Sequence, residues 1–230
     1  MTASLTIIRY RKRFIPFALL AMALFRLPLW LNKQIGFWKL LGSGRNGTFD
    51  KTPDWQQWGI LCVYKGGVPP LLHGRFIAWW LRLFNCEILT YILEPTEGHG
   101  SWDGKKAFGE LPSKSDHEGM VAVLTRATIR FGKLKQFWKH VNPVASLMKT
   151  ADGFITSYGI GEMPWLRQAT FSIWKDKEGM KNFAYKMQEH AEVIRKTRQE
   201  KWYSEDMFVR FKILKCTGTL NGTNPLEGKL

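Results

Sequence analysis

The chain has 230 residues, 45% of them hydrophobic and 14% aromatic, with 11 tryptophans. That is enough apolar material for one large or two small cores, and too much for a disordered chain. Lys and Arg number 34 against 19 Asp and Glu, a formal charge of +15, which favours an anionic partner such as a membrane surface, nucleic acid or an acidic protein. The cysteines, Cys62, Cys86 and Cys216, are odd in number and lack CxxC spacing, which argues against a disulfide framework or a cysteine-built zinc site and for a reducing cytoplasm.

From the N-terminus, SLTIIRY (4–10) has strand character, and RYRKR (9–13) leads into FIPFALLAMALF (14–25). The charged-then-apolar order resembles a signal peptide, but the uncharged run is twelve residues and ends at Arg26, too short to span a bilayer. The expectation is a helix over 14–30 that is buried or skims a membrane, with Pro16 in its first turn. IGFWKLLG (35–42) reads as a strand, SGRNGTFDKTPD (43–54) as a polar loop, ILCVYKGG (60–67) as a strand, PLLHGRFIAWWLRLF (70–84) as a helix and ILTYILEP (88–95) as a strand. HGSWDGKKAFGELPSKSDHEG (99–119) has the composition of a linker.

The pattern then repeats. Leu5-Thr6 matches Leu124-Thr125 at an offset of 119, and a helix is expected at 133–149. The strands at 35–42, 60–67 and 88–95 match 155–162, 170–177 and 206–213, at offsets of 120, 110 and 118. NFAYKMQEHAEVIRK (182–196) supplies the second helix of the second copy. Strand, helix, strand, strand, helix, strand, twice over, predicts an α+β fold of duplicated ferredoxin-like units. The expected divisions are 1–98 for the first repeat, 99–119 for the linker, 120–216 for the second repeat and 217–230 for a tail. Such a duplication makes a single-chain pseudo-dimer with space between sheet and helices.

No GxSxG, HExxH, GxxxxGK[ST] or GxGxxG motif is present. The five histidines never fall three or four apart, which disfavours a mononuclear zinc site. No nucleic-acid-reading element accompanies the charge, so nucleic acid is not expected as a partner. His190 is the residue that asks for an explanation. Phe183, Met187, His190 and Ile194 are spaced by four, three and four, which stacks them on one apolar helix face. Burying an unpartnered polar group costs roughly 2–7 kcal/mol, so His190 needs a partner. One reading is a core histidine bonded to a carbonyl or carboxylate; the other is the proximal ligand of a haem iron, with the apolar neighbours as its wall. His73 is its counterpart in the first repeat, 117 residues earlier, but Pro70 and Gly74 beside it disfavour regular helix. His140, late in its helix, reads as a solvated or capping residue. Arg126, Arg130 and Arg167 lie in or beside strands. They either cover an exposed sheet face or, with a haem present, pair with its propionates.

Four stretches together carry a family likeness. IGFWKLLGSG (35–44), LTRATIR (124–130), IGEMPWLRQATFSIWKD (160–176) and MKNFAYKMQEHAEVIRKTRQEKWYSEDMFVRF (180–211) resemble the spheroidene monooxygenases of carotenoid biosynthesis, within a likeness running from about residue 4 to 216. The resemblance implies a dimeric α+β-barrel-like pseudo-dimer. It also implies a monooxygenase that hydroxylates or ketolates C-2 of the end group of an acyclic or monocyclic carotenoid. Its cofactor would be heme b, with O2 as co-substrate and reduced ferredoxin as electron donor. His190, in the matched FAY…H segment, inherits the axial-ligand role. A carotenoid substrate implies work in the cytoplasm at the inner face of the membrane, held peripherally by the basic surface and the N-terminal helix. Trp79, Trp80, Trp138, Trp165 and Trp202 would line a tunnel for the polyene. Two alternatives stand beside this: a monooxygenase of another apolar substrate, and a haem- or lipid-binding protein without turnover. Further association into a homo-oligomer is left open.

Overall fold

The computed structural model describes residues 1–45, 47–48, 50–67, 72–186, 195–197 and 199–230, and for residues 141–146 and 185–186 the backbone alone. Two compact units emerge. Unit 1 comprises Met1–Ser43, Asp54–Pro95 and Ile213–Leu230; unit 2 comprises Gly44–Pro53 and Thr96–Lys212.

The first half of the chain runs β1 (Thr2–Arg9), α1 (Ile15–Leu24), α2 (Arg26–Leu31), β2 (Ile35–Gly44), β3 (Pro53–Tyr64), α3 (Arg75–Leu83) and β4 (Glu87–Gly100), all in unit 1 but for the ends of β2 and β3 and the part of β4 from Thr96. β1 pairs antiparallel with β3 on one edge and β4 on the other, and β2 lies beside β3. The sequence dictates these helices locally. Pro16 sits in the first turn of α1, where its missing N–H is no loss. Gly74 at the N-cap of α3 has φ 123, a backbone conformation that glycine adopts without a Cβ clash. The helices bury Ala18, Ala21, Phe25 and Leu29 on one side and Ile77, Trp80, Leu81 and Phe84 on the other, against Ile8, Ile60, Cys62 and Tyr64 of the strands.

Unit 2 repeats the plan with β5 (Val121–Ile129), α4 (Leu134–Met148), β6 (Phe154–Met163), β7 (Arg167–Trp174), α5 (Lys177–Lys181) and β8 (Tyr203–Gly218), the last as far as Lys212. A π-helical turn, Asn182–Lys186, follows α5. Asp176 caps α5 by accepting a hydrogen bond from Gly179 N at 2.7 Å. β5 is flanked by β7 and β8, and β6 lies beside β7, all antiparallel. The α+β class and the doubled strand–helix–strand–strand–helix–strand order are those expected from the sequence.

The register shows the duplication directly. Leu5 faces Leu61 and Tyr91; Leu124 faces Phe171 and Val209. The step from 61 to 171 is 110 residues and from 91 to 209 is 118, the same offsets at which the strands match in sequence.

Two segments are more ordered than their composition implied. β4 runs on through PTEGHG to Gly100, and β8 begins at Tyr203. Thr96 Oγ1 donates to Arg210 O at 3.1 Å and Ser101 N to Asp206 O at 3.0 Å. The stretch after it buries Trp102 and Phe108, so it packs on unit 2 and is not a solvated tether. Gly159 of β6 is similarly constrained: a Cβ there would land on the backbone carbonyl of Thr48. Gly159→Ala is expected to destabilise the protein by about 1–3 kcal/mol and lower its melting temperature by several degrees. Gly66→Ala, which meets nothing within 4 Å, serves as the neutral control in the same calorimetric scan.

Candidate functional site

Alternation along β5 sorts the candidate residues onto two faces. Val121 and Val123 pack with Met148, Trp174, Met180 and Phe183 on the side that receives the helices. Phe183 is buried there, its ring 5.3 Å from that of Trp174 and inclined by 31°. Arg126 lies on the other face of β5, and Arg167, opposite Thr128, shares that second face. His190, Met187 and Ile194 lie outside the described residues. Arg130, just past β5, is exposed and donates through Nε to Tyr203 O at 3.1 Å. The arginines proposed for propionates therefore do not gather around Phe183: two of the three point away from it.

The tryptophans likewise part company. Trp80 is core in unit 1, Trp138 and Trp202 are core in unit 2, and Trp79 and Trp165 are exposed. His140 donates through Nδ1 to Gln136 O at 2.8 Å and packs its ring 5.4 Å from Trp202.

His73 shows what the first repeat does with its histidine. It lies in the loop before α3 at φ 55 and is 1% exposed. Nε2 is 2.9 Å from Thr6 Oγ1 and Nδ1 is 3.0 Å from Tyr64 Oη, with Thr6 bonded in turn to Thr90 at 3.0 Å. Two hydroxyls thus satisfy both ring nitrogens, and a neutral imidazole needs one to donate and one to accept. Burial pushes the His73 pKa down to about 4. By the repeat offsets, the positions of Thr6, Tyr64 and Thr90 become Thr125, Trp174 and Phe208 in unit 2. Two of the three hydroxyls are replaced by aromatic rings, and Trp174 spends its N–H on Ser172 Oγ at 3.0 Å. The cage that makes His73 structural is not reproduced in the second repeat.

Arg126 is committed elsewhere. Its guanidinium bonds Glu205 and lies 3.7 Å from Asp103 and 3.8 Å from Glu162, over the Trp102 ring at 5.4 Å. Trp102 Nε1 donates to Glu162 at 2.8 Å, and Arg167 approaches Asp103 at 3.5 Å. Partial burial raises the Glu205 pKa, but the Gly104 N–H, Ser101 hydroxyl and Arg126 outweigh it and hold the carboxyl at about 2. Three carboxylates therefore surround Arg126 and balance its charge, while its Nε and Nη2 make no hydrogen bond.

A second buried group was not anticipated from the sequence. Glu97, 2% exposed, bonds Arg210, accepts from Lys177 Nζ at 3.0 Å and accepts from Ser115 N at 2.6 Å. Arg210 faces Val123, on the helix side, where the first repeat has Ile92 opposite Ser4. A charge replacing an isoleucine at a repeat-equivalent strand position was the available signal.

Among the described residues no three His, Cys, Asp or Glu side chains gather to hold a metal ion. The helix side of unit 2, with Phe183, Trp174, Val121 and Val123, matches a flat apolar group in its chemistry. Arg126 and Arg167 do not fit as its anion partners.

No protein-family model matches the chain. It is 34% identical over 194 residues to a Cereibacter sphaeroides protein named spheroidene monooxygenase, covering 83% of this chain and 59% of that protein. A Rhodobacter capsulatus protein of the same name is 32% identical over 235 residues, covering 99% of this chain and 96% of its own. Among solved structures, an aldoxime dehydratase crystallised with butyraldoxime superimposes with a TM-score of 0.62 at 8% identity, covering 98% of this chain and 84% of that one. Another aldoxime dehydratase gives 0.59 at 9% identity, covering 98% and 86%. At such identity the likeness is one of fold.

Two outcomes follow from these clusters. His73 binds its proton less readily folded than unfolded, so its contribution is complete above about pH 6.5 and falls as pH drops toward 4. Denaturant titrations should show a loss on the order of 3 kcal/mol across that window, and His73→Gln should flatten it. Arg126→Met should cost about 3–5 kcal/mol, because the carboxylates lose their buried counter-charge. Adding Glu205→Gln should recover part of that loss; a double variant weaker than the single would show that Glu205 is not the penalised group.

Proposed function

Because the chain belongs to the spheroidene monooxygenase family, we propose that it is a monooxygenase of carotenoid metabolism. The reaction in this reading is hydroxylation or ketolation at C-2 of the end group of an acyclic or monocyclic carotenoid. The cofactor is heme b, with dioxygen as co-substrate and reduced ferredoxin as electron donor, and the protein works in the cytoplasm on the inner face of the membrane. His190 is the axial ligand of the iron.

The observation that carries the reading is the exchange between the repeats. His73 is held by Tyr64 and Thr6, whereas the counterparts of Tyr64 and Thr90 in the second repeat are Trp174 and Phe208. Of the two hydroxyls that hold His73 directly, the second repeat keeps Thr125 in place of Thr6 but has Trp174 in place of Tyr64, so one hydroxyl partner gives way to an aromatic wall. Neutral imidazole beside flat apolar side chains suits a haem, which when bound supplies the means to activate dioxygen.

The chain's own contribution is positioning. Phe183, its ring inclined by 31° to that of Trp174 and set among Val121, Val123, Met148 and Met180, gives a bound cofactor a dry, apolar wall. A polyene has no charge to grip, so selectivity for one carbon rests on shape and on holding one C–H at the reacting centre. A basic surface, with formal charge +15, favours encounter with an acidic electron donor.

Two measurements test the proposal. Protein from haem-supplemented cells should show a Soret band that His190→Ala abolishes or shifts, while His73→Ala lowers stability and leaves the band in place. Cells making an acyclic carotenoid should, on expressing the protein under 18O2, yield a carotenoid carrying the label. A colourless, iron-free protein would remove the haem; a haem protein that labels no offered carotenoid would be a binding protein without turnover.

A further inference from the structure

Among the described residues, unit 1 has an apolar face with no element of the unit over it. α1, IPFALLAMAL, is hydrophobic all round, yet only Ala18 and Ala21 are buried. A helix apolar on every side belongs in an apolar surrounding. α2 leaves Leu27, Trp30 and Leu31 exposed, Trp30 by 72%. α3 packs on the same helices through Phe25, whose ring meets Phe76 at 6.3 Å and Trp80 at 6.0 Å. It leaves Trp79 and Leu83 exposed beside them, at 54% and 57%.

Exposed cations accompany these helices in the chain. Arg11, Lys12 and Arg13 just before α1, Arg26 in α2, and Arg75 and Arg82 in α3 are all exposed. The first carboxylate in the chain is Asp50, and none occurs between Tyr64 and Glu87. Basic side chains on the same helices as exposed Leu and Trp match a bilayer interface, where headgroup phosphates meet the charge and acyl chains meet the apolar surface.

We propose that α1, α2 and α3 form a docking surface for a bilayer containing anionic lipids, with α1 and α2 lying in the interface plane. The stretch Lys12–Leu31 is long and apolar enough to cross a membrane, but crossing would strip Ala18, Ala21, Phe25 and Leu29 out of the unit 1 core. A second copy of the chain would cover the apolar residues but bring two sets of these cations together, which an anionic surface neutralises. The proposal makes the peripheral-membrane part of the functional reading specific and rests on that reading only for its localisation, since its residues belong to unit 1 alone.

Sedimentation of the full-length protein with lipid vesicles is the test. The protein should pellet with vesicles of phosphatidylcholine and phosphatidylglycerol at about 0.05 M salt, and much less at about 0.5 M, where the Debye length shrinks to roughly 4 Å. Replacing Lys12 or Arg13 with Gln should weaken binding about fivefold each. Leu27→Glu and Trp30→Glu should abolish it while leaving the melting temperature unchanged. Three results would overturn the proposal: no pelleting with anionic vesicles, equal pelleting with neutral ones at high salt, or binding untouched by Trp30→Glu. A concentration-dependent dimer that Trp30→Glu dissolves would assign the face to a second copy instead. No turnover is read here, so a failed oxygenation assay and a failed vesicle assay are separate results.

Discussion

A strand hydrogen-bonded on both edges cannot slip by one residue without exchanging its two faces, and β1 and β5 are such strands. That constraint decides which side chains of β1 and β5 can meet. In β5 it commits Val121 and Val123 to the helices and Arg126 to the opposite face. In β1 it puts Thr6 within 2.9 Å of His73 and 3.0 Å of Thr90. A single register shift would carry Arg126 into the apolar layer holding Phe183 and Trp174, at the price of an unpaired buried cation.

The same backbone arrangement carries unlike interiors. The first repeat closes its helix-side layer with hydroxyls around an imidazole. The second fills the matching strand positions with Trp174 and Phe208, and a buried Glu97–Arg210–Lys177 group lies alongside. A duplicated scaffold keeps its hydrogen-bonded ladder, because the ladder does not depend on side-chain identity, and diverges where side chains meet. Fold similarity to the aldoxime dehydratases at 8–9% identity illustrates the same separation of backbone plan from chemistry.

What was legible in the sequence was what repeats. The offsets of 110 and 118 residues reappeared as strand register, because matched strands keep matched partners; the helix at 133–149 fell on Leu134–Met148, and the one at 14–30 fell on two helices, Ile15–Leu24 and Arg26–Leu31. The face of Arg126 was also legible, since LTRATIR alternates with period two; grouping it with Arg130 and Arg167 by charge alone missed that Arg126 and Phe183 sit on opposite sides. The convergence of Asp103, Glu162 and Glu205 on Arg126 was not legible, for each contact closes a loop of tens of residues and leaves no local pattern. Nor were the outer ends of β4 and β8, whose PTEGHG and YSED stretches look like loops until a partner strand supplies the ladder. For His190 the sequence defines the question, and its neighbours Met187 and Ile194 stand with it outside the described residues.

The position of α3 in the chain has a consequence in time. The partners that cover Ala18, Ala21 and Phe25 include Ile77, Trp80 and Leu81, which leave the ribosome some fifty residues after α1. At about 5–20 residues per second, the N-terminal apolar segment spends several seconds of synthesis with its core partners unmade and its arginines and lysines already in solution. The first surface it meets during that interval decides whether it waits in water, on a chaperone or against a lipid leaflet, before the rest of unit 1 exists to hold it.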